Sequence, residues 1–207
     1  MPIVKVKICG ITNYRDAAAA ADMGADLIGF NFYPKSPRFI TPEKAAKIIN
    51  KLPAFIHVAG VFVNASLDRI KDVINECNLD WVQLHGDESP KFCESLRSIN
   101  VRTMKAIRVK SQADIEKAED FFTDAILLDA FDPKKYGGTG LKFDWNVIGH
   151  INKRIFLAGG INPDNVEAAI ELGVYGIDIC SGIESRPGKK DIKKMRKLFE
   201  VIHRLRG

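Results

Sequence analysis

The sequence predicts an α/β fold of the (β/α)₈ TIM-barrel type. Eight strand-like runs alternate with eight helix-like segments along the whole chain. The units recur about every 25 residues, and eight such units are the number that closes a parallel barrel. An open doubly wound sheet is the alternative, but it favours a nucleotide fingerprint after the first strand, and the sequence has none there. We therefore expect one barrel domain that spans residues 1–207.

The strands are predicted from short apolar or alternating runs, and the helices from the amphipathic or Ala-rich segments between them. Asn13 and Ser66 are typical helix N-caps, and Gly24 follows the first helix as a typical C-terminal glycine. The predicted strands cover residues 3–9, 26–32, 55–63, 80–85, 101–108, 125–130, 154–159 and 175–180. The predicted helices cover residues 13–23, 41–52, 66–77, 88–98, 111–122, 143–152, 163–173 and 190–205.

The composition is that of a chain with a full apolar core. Hydrophobic residues make up 46% of it, no apolar run approaches the ~20 residues of a membrane span, and the N-terminus lacks a signal-peptide pattern. We expect a cytoplasmic protein with no membrane contact. The net charge of +5 is not gathered into one run, so a solvated basic surface is favoured over an anionic partner, and no nucleic acid is expected. The four cysteines and four histidines form no CxxC or i, i+4 pair, so no metal site is predicted.

The first strand, IVKVKIC, ends in a candidate catalytic thiol. Alternation places Lys5, Lys7 and Cys9 on one face, and Gly10 follows directly. In a barrel, polar residues near the C-terminal ends of the strands point into the mouth. On the later strands the same alternation turns these residues inward: Gln83, His85, Asp129, Asp178 and Cys180.

Cys9 and Asp129 then face each other across the mouth of the predicted barrel. A thiol and a carboxylate on opposite walls suit a general base and a general acid acting on one small substrate. Lys5 or Lys7 is expected to lower the pKa of the Cys9 thiol. The structural alternative makes Cys9 a packing residue and Asp129 a turn former, but their matched positions favour catalysis.

Three loops at the mouth are candidates for ligand binding. The loops after strands 7 and 8 contain Gly159, Gly160, Ser181 and Gly182, in the two positions where barrels often bind phosphate, although plain turns are the alternative. The loop YPKSPRFI after strand 2 presents Arg38, suited to a fork-shaped grip on a carboxylate or to an ordinary surface role. The long loop FDPKKYGGTGLKF at 131–143 is a candidate lid or a flexible surface loop.

Recognisable motifs stand on nearly every unit of the chain. They are KICGIT (7–12), GFNFYPKSPRFI (29–40), GVFVN (60–64), VQLHGDE (82–88), LLDA with GGTG and FDW (127–145), LAGGINPDNV (157–166) and GIDICSGIESRPGKKD (176–191). Together they resemble the phosphoribosylanthranilate isomerase family of tryptophan biosynthesis. Cys180 departs from the family pattern, which usually has Ser there, and Asn31 stands where the family usually has an apolar residue.

The resemblance implies an Amadori rearrangement of N-(5-phosphoribosyl)anthranilate, a phosphorylated small molecule, that needs no cofactor. It implies that Asp129 protonates the ribose ring oxygen and that Cys9 removes the proton from ribose C2. It further implies that Arg38 grips the anthranilate carboxylate and that Asp178 lines the mouth. The residues implied for the phosphate cradle are Gly159, Gly160, Ser181 and Gly182.

Two rival functions and two oligomeric states stay open from the sequence. The histidine-pathway isomerase of similar fold uses an Asp at the end of strand 1, so the thiol of Cys9 argues against it. A catalytically dead barrel that only binds a phosphorylated metabolite is disfavoured because both proton-transfer residues are present. Both a monomer and a homodimer are compatible with the sequence.

Overall fold

Eight parallel strands form a closed barrel, as predicted, in the computed structural model, which describes residues 3–130, 137, 144–145, 148 and 152–206. Each strand pairs with its neighbour in chain order, and β8 closes the ring by pairing with β1. The strands are β1 Lys5–Ile8, β2 Leu27–Asn31, β3 His57–Phe62, β4 Trp81–Leu84, β5 Arg102–Val109, β6 Ala125–Ala130, β7 Ile155–Leu157 and β8 Gly176–Ile179.

Seven α-helices in the described ranges pack outside the barrel. Asn13 and Ser66 cap α1 and α3 by accepting the amides of Asp16 and Arg69, which confirms the two predicted N-caps. The helices are α1 Tyr14–Asp22, α2 Pro42–Ile49, α3 Leu67–Cys77, α4 Pro90–Ser95, α5 Gln112–Glu116, α6 Val166–Glu171 and α7 Ile192–Arg206. The predicted helix 143–152 and the candidate lid loop 131–143 fall largely outside the described residues.

A short hairpin between β8 and α7 was not predicted. It pairs β9, Glu184–Arg186, with β10, Lys189–Lys190, and Gly188 in the turn has a φ of 78°. A positive φ of this size favours glycine. The hairpin brings Glu184 and Lys190 back over the mouth of the barrel, where both side chains are buried.

The core has two apolar layers, one inside the barrel and one between the strands and the helices. Leu127 belongs to the inner layer, whereas Ile126 and Leu128 on the same strand belong to the outer one. Ile177 and Ile179 of β8 also lie in the outer layer. This alternation confirms the predicted facing of the strands and leaves the polar residues of the strand ends on the inside.

The N-terminal end of the barrel is held by three aspartates, one directly before each of β2, β4 and β6. Asp26, Asp80 and Asp124 accept the backbone amides of Val6, Val58 and Thr103 on the preceding strands, at 2.9, 2.7 and 2.7 Å. These carboxylates satisfy amides that the ladder leaves open. No helix within the described ranges is long and apolar enough to cross a membrane.

Candidate active site

A cavity of about 430 Å³ opens at the C-terminal ends of the strands. Its volume falls in the range of small-molecule pockets, about 300–1,000 Å³. Seven of the eight residues predicted for the site line it: Cys9, Arg38, Asp129, Gly159, Gly160, Asp178 and Ser181. The eighth, Gly182, follows Ser181 directly and is partly buried, and a Cβ there would collide with the carbonyl of Ile161.

Lys7 lies fully buried beneath Cys9 and forms an ion pair with Asp178. Its Nζ donates to Asp178 Oδ2 at 2.9 Å, and the two residues are register partners on β1 and β8. Burial alone lowers the pKa of Lys7, but Asp178 and Cys9 outweigh burial and raise it. The other carboxylate oxygen, Asp178 Oδ1, is buried and has no partner in the described part of the chain. That oxygen is therefore available to a ligand hydroxyl.

The thiols of Cys9 and Cys180 share a hydrogen bond. This bond and burial raise the pKa of Cys9 well above its ordinary value, and Lys7 only partly opposes them. The same bond lowers the pKa of Cys180 to about 7, against burial and with help from Lys190 and Arg38. Near neutral pH Cys180 is therefore the more readily ionised thiol of the pair, and Cys9 keeps its proton.

Of the two lysines expected to lower the pKa of Cys9, Lys7 does so and Lys5 does not, but the net shift of that pKa is upward. Lys5 lies at the other end of β1, where its Nζ pairs with Asp26 Oδ1 at 3.1 Å. Lys7 does act in the expected sense, but the hydrogen bond with Cys180 and the burial of the thiol have the larger effect. The charge of the thiol pair therefore resides first on Cys180.

Asp129 is hydrogen-bonded through one of its oxygens and lies close to His85 through the other. Oδ1 accepts the amide of Ala130 at 2.8 Å, and Oδ2 lies 3.2 Å from His85 Nε2. The side-chain amide of Gln83 lies 2.7 Å from His85 Nδ1, so it orients the ring. The glycine at 137 is required by close approach, since a Cβ there would lie 2.8 Å from His85 Nε2 and 2.9 Å from Asp129 Oδ2.

Arg38 reaches the pocket from the loop after β2, but part of its fork is occupied. Its Nε and Nη2 donate to the two oxygens of Glu184 at 2.9 and 2.7 Å. Lys190 Nζ lies 3.2 Å from Glu184 Oε1. Burial raises the pKa of Glu184, but Arg38 and Lys190 outweigh it and the net shift is downward. Glu184 therefore binds Nε and Nη2 of the guanidinium, and Nη1 is the nitrogen that can bind a ligand in the pocket.

The predicted phosphate cradle lies between the ends of β7 and β8. Gly159 and Gly160 have φ values of 82° and 69°, which a side chain would strain. Within the described ranges, no protein acceptor receives the amides of these two glycines, of Ser181 or of Gly182. Half-buried amides without a protein partner are suited to bind an anion.

Five residues that contact the predicted site residues or their neighbours were not assigned a role from the sequence: Gln83, His85, Cys180, Glu184 and Lys190. His85 was predicted to face inward, and its position two residues after Gln83 on β4 was the available signal. Glu184 and Lys190 lie in the segment CSGIESRPGKKD, in which no sequence pattern indicated the hairpin that the structure shows.

Comparison with known proteins identifies the family. A family model described as N-(5'phosphoribosyl)anthranilate (PRA) isomerase matches residues 6–201. The chain belongs to this family. It is 50% identical over 208 residues to the N-(5'-phosphoribosyl)anthranilate isomerase of Geotalea uraniireducens strain Rf4, covering 99% of this chain and 100% of that protein.

Solved structures of phosphoribosylanthranilate isomerases have the same fold. The enzyme from Thermus thermophilus superposes with a TM-score of 0.90 at 35% identity, covering 98% of this chain and 100% of that one. A second isomerase, in complex with reduced 1-(o-carboxyphenylamino)-1-deoxyribulose 5-phosphate, superposes with a TM-score of 0.82 at 37% identity, covering 97% and 98%. The chain is thus an isomerase of tryptophan biosynthesis with a TIM-barrel fold, as the sequence motifs predicted.

Proposed function

We propose that the chain converts N-(5-phosphoribosyl)anthranilate to 1-(2-carboxyphenylamino)-1-deoxyribulose 5-phosphate by acid–base catalysis, with Asp129 as the acid and Cys9 as the base. The observation that best supports this proposal is that Cys9 and Asp129 each contact a second titratable side chain. Cys9 shares a hydrogen bond with Cys180, and Asp129 contacts His85. The two pairs stand on β1 with β8 and on β6 with β4, on different walls of one cavity.

In the first step Asp129 protonates the ribose ring oxygen. The bond from ribose C1 to that oxygen breaks, and the anthranilate nitrogen becomes a Schiff base. His85 Nε2, 3.2 Å from Asp129 Oδ2, holds the carboxyl group in place and stabilises the carboxylate that is left. Gln83 orients the His85 ring through Nδ1, so the three side chains act as one unit.

In the second step Cys9 removes the proton from ribose C2. The thiol must first lose its own proton, and Cys180 accepts it through their shared hydrogen bond. The negative charge then moves to Cys9, next to the buried ammonium of Lys7. Proton loss from C2 gives an enolamine, which tautomerises to the ketone of the product.

The substrate is held at its two charged ends. The phosphate binds the amides of Gly159, Gly160, Ser181 and Gly182, which have no protein acceptor in the described ranges. The anthranilate carboxylate binds Arg38 through the end of the guanidinium that Glu184 does not occupy. A ribose hydroxyl donates to Asp178 Oδ1.

The test is isomerase activity of the purified chain, followed by the loss of anthranilate-type fluorescence. Cys9→Ala and Asp129→Asn should each lower kcat by about 10²–10⁴-fold, the usual contribution of a general acid or base. Cys77→Ala is the matched control, because Cys77 is a buried thiol at the end of α3 and does not line the pocket. Turnover that survives unchanged in both site variants would refute the mechanism.

A further inference from the structure

Cys9 and Cys180 occupy neighbouring positions at the ends of adjacent parallel strands. β1 and β8 pair with Ile8 opposite Ile179, and the amide of Cys9 donates to the carbonyl of Ile179 at 2.9 Å. The two cysteines are the next residue on each strand. Adjacent strands lie about 4.8 Å apart, and a disulfide requires a Cα separation of roughly 4.4–6.8 Å. The backbone therefore satisfies the main condition for a bond between these residues.

Both sulfurs are also accessible from the same cavity. Cys9 and Cys180 line it together, and their thiols are already in hydrogen-bond contact. Glycines make the room: a Cβ at Gly29 would lie 2.9 Å from the sulfur of Cys9, and a Cβ at Gly10 would lie 2.9 Å from that of Cys180. A small oxidant that enters the pocket therefore meets two adjacent free thiols.

We propose that Cys9 and Cys180 form a reversible oxidation site, at which a peroxide converts the two thiols to a disulfide and switches the enzyme off. The chemical class of the reactant is a hydroperoxide, with hydrogen peroxide as the simplest member. The loss of activity rests on the function proposed above, in which Cys9 is the base. The formation of the bond does not depend on that function.

The reaction is balanced in two steps. The thiolate of Cys180 attacks one oxygen of hydrogen peroxide, so that an S–O bond forms, the O–O bond breaks and hydroxide leaves. The sulfur of Cys9 then attacks the sulfur of the resulting sulfenic acid. An S–S bond forms, the S–O bond breaks, and the hydroxyl group leaves with the Cys9 proton as water. Peroxide is reduced to two molecules of water once its hydroxide takes up a proton, and the two sulfurs lose one electron each.

The surroundings single out Cys180 as the first thiol to react. Lys190 Nζ lies 4.0 Å from its sulfur and 3.0 Å from its carbonyl oxygen, and the guanidinium of Arg38 is nearby. Together with the hydrogen bond from Cys9 they lower the pKa of Cys180 to about 7, so a large fraction is thiolate at neutral pH. By contrast, burial raises the pKa of Cys77 and of Cys93 to about 11. Those two thiols are expected to stay inert.

The experiment treats the reduced full-length protein with hydrogen peroxide, alkylates the remaining thiols and digests the product with trypsin. Mass spectrometry should find the peptide that contains Cys9 joined to the peptide that contains Cys180, and the intact mass should be lower by two hydrogen atoms. Isomerase activity should fall in step with the cross-link and return with dithiothreitol. This mapping requires no substitution, so it is independent of any effect of a variant on folding.

Two variants complete the design. Cys180→Ser should lose activity more slowly, compared with its own starting activity, and should give no cross-linked peptide, because Cys9 has no resolving thiol. The Cys77→Ser, Cys93→Ser double variant should behave like the unsubstituted chain. The proposal is overturned if Cys9 is found as an isolated sulfinic acid, if Cys180→Ser is inactivated reversibly at the same rate, or if the cross-linked protein stays active. A cross-link in a protein that shows no isomerase activity before treatment would refute the proposed function but not the site.

Discussion

Replacing Lys7 with methionine tests how strongly the floor of the pocket depends on one buried ion pair. Lys7 Nζ and Asp178 Oδ2 lie 2.9 Å apart, and their side chains are 0% and 6% exposed. Methionine keeps much of the apolar length and removes the charge. Asp178 would then hold a buried carboxylate without a cation, and its Oδ1 already lacks a partner in the described part of the chain.

The expected loss of stability is large. Removing one partner of a buried pair costs about 3–5 kcal/mol, because the other charge is left uncompensated. In a protein of this size 1 kcal/mol corresponds to about 2–4 °C, so the melting temperature should fall by roughly 6–20 °C. Lys5→Met is the matched control on the same strand. Its pair with Asp26 is 44% and 28% exposed, and Asp26 keeps Arg206 at 2.7 Å, so the loss there should be about 0–1 kcal/mol.

Urea unfolding at neutral pH, followed by circular dichroism, measures both variants against the unsubstituted chain. The Lys7→Met, Asp178→Asn double variant should recover part of the lost free energy of unfolding, because asparagine is neutral and leaves no unpaired buried charge. The reasoning is refuted if Lys7→Met and Lys5→Met lose the same free energy of unfolding, or if the double variant is less stable than Lys7→Met alone.

Three other substitutions test the remaining polar contacts of the pocket. In the unsubstituted chain kcat/KM should rise with pH through about 7, because Cys180, whose pKa is lowered to about 7, must be ionised before it can accept the proton of Cys9. In Cys180→Ser the pH–rate profile should show this rise at higher pH. A rise at the same pH would contradict the proton transfer from Cys9 to Cys180. Glu184→Gln should raise KM by about 10-fold with little change in kcat, because the weakened pair no longer aims Arg38 at the substrate carboxylate; steady-state kinetics in which only kcat falls would count against this role. His85→Gln should lower kcat by about 10–100-fold with little change in KM, since the Asp129 carboxyl group loses the ring that lies 3.2 Å from it; an effect confined to KM would exclude His85 from the acid step.

The barrel could be predicted because the alternation of strand-like and helix-like segments is a local pattern that recurs along the whole chain. Strand alternation fixed which residues face inward, and the structure confirms that facing for Ile126, Leu127 and Leu128. The Lys7–Asp178 pair follows from the same logic, because closure of the ring makes the two residues register partners on β1 and β8. Its existence could have been inferred from the predicted fold without coordinates.

The contacts of Arg38 could not be predicted in this way. Its partner Glu184 is 146 positions away, and the two residues meet through a loop and a hairpin whose conformations no periodic pattern encodes. The state of Cys9 was unpredictable for a different reason. Its pKa results from opposing effects, and the neighbour with the largest effect, Cys180, was not recognised as its hydrogen-bond partner.

The charged and titratable groups of the pocket are matched to one another within the protein. Lys7 is paired with Asp178, Asp129 with His85, and Glu184 with both Arg38 and Lys190. Groups held in this way keep their orientation without solvent, which is the condition for electrostatic stabilisation of a transition state. It also means that truncating one group leaves its partner uncompensated, so a single variant alters stability and rate together. Double variants that remove both partners of a pair therefore separate two effects. One is the catalytic contribution of a residue, and the other is the loss of stability when its partner is left as an unpaired buried charge.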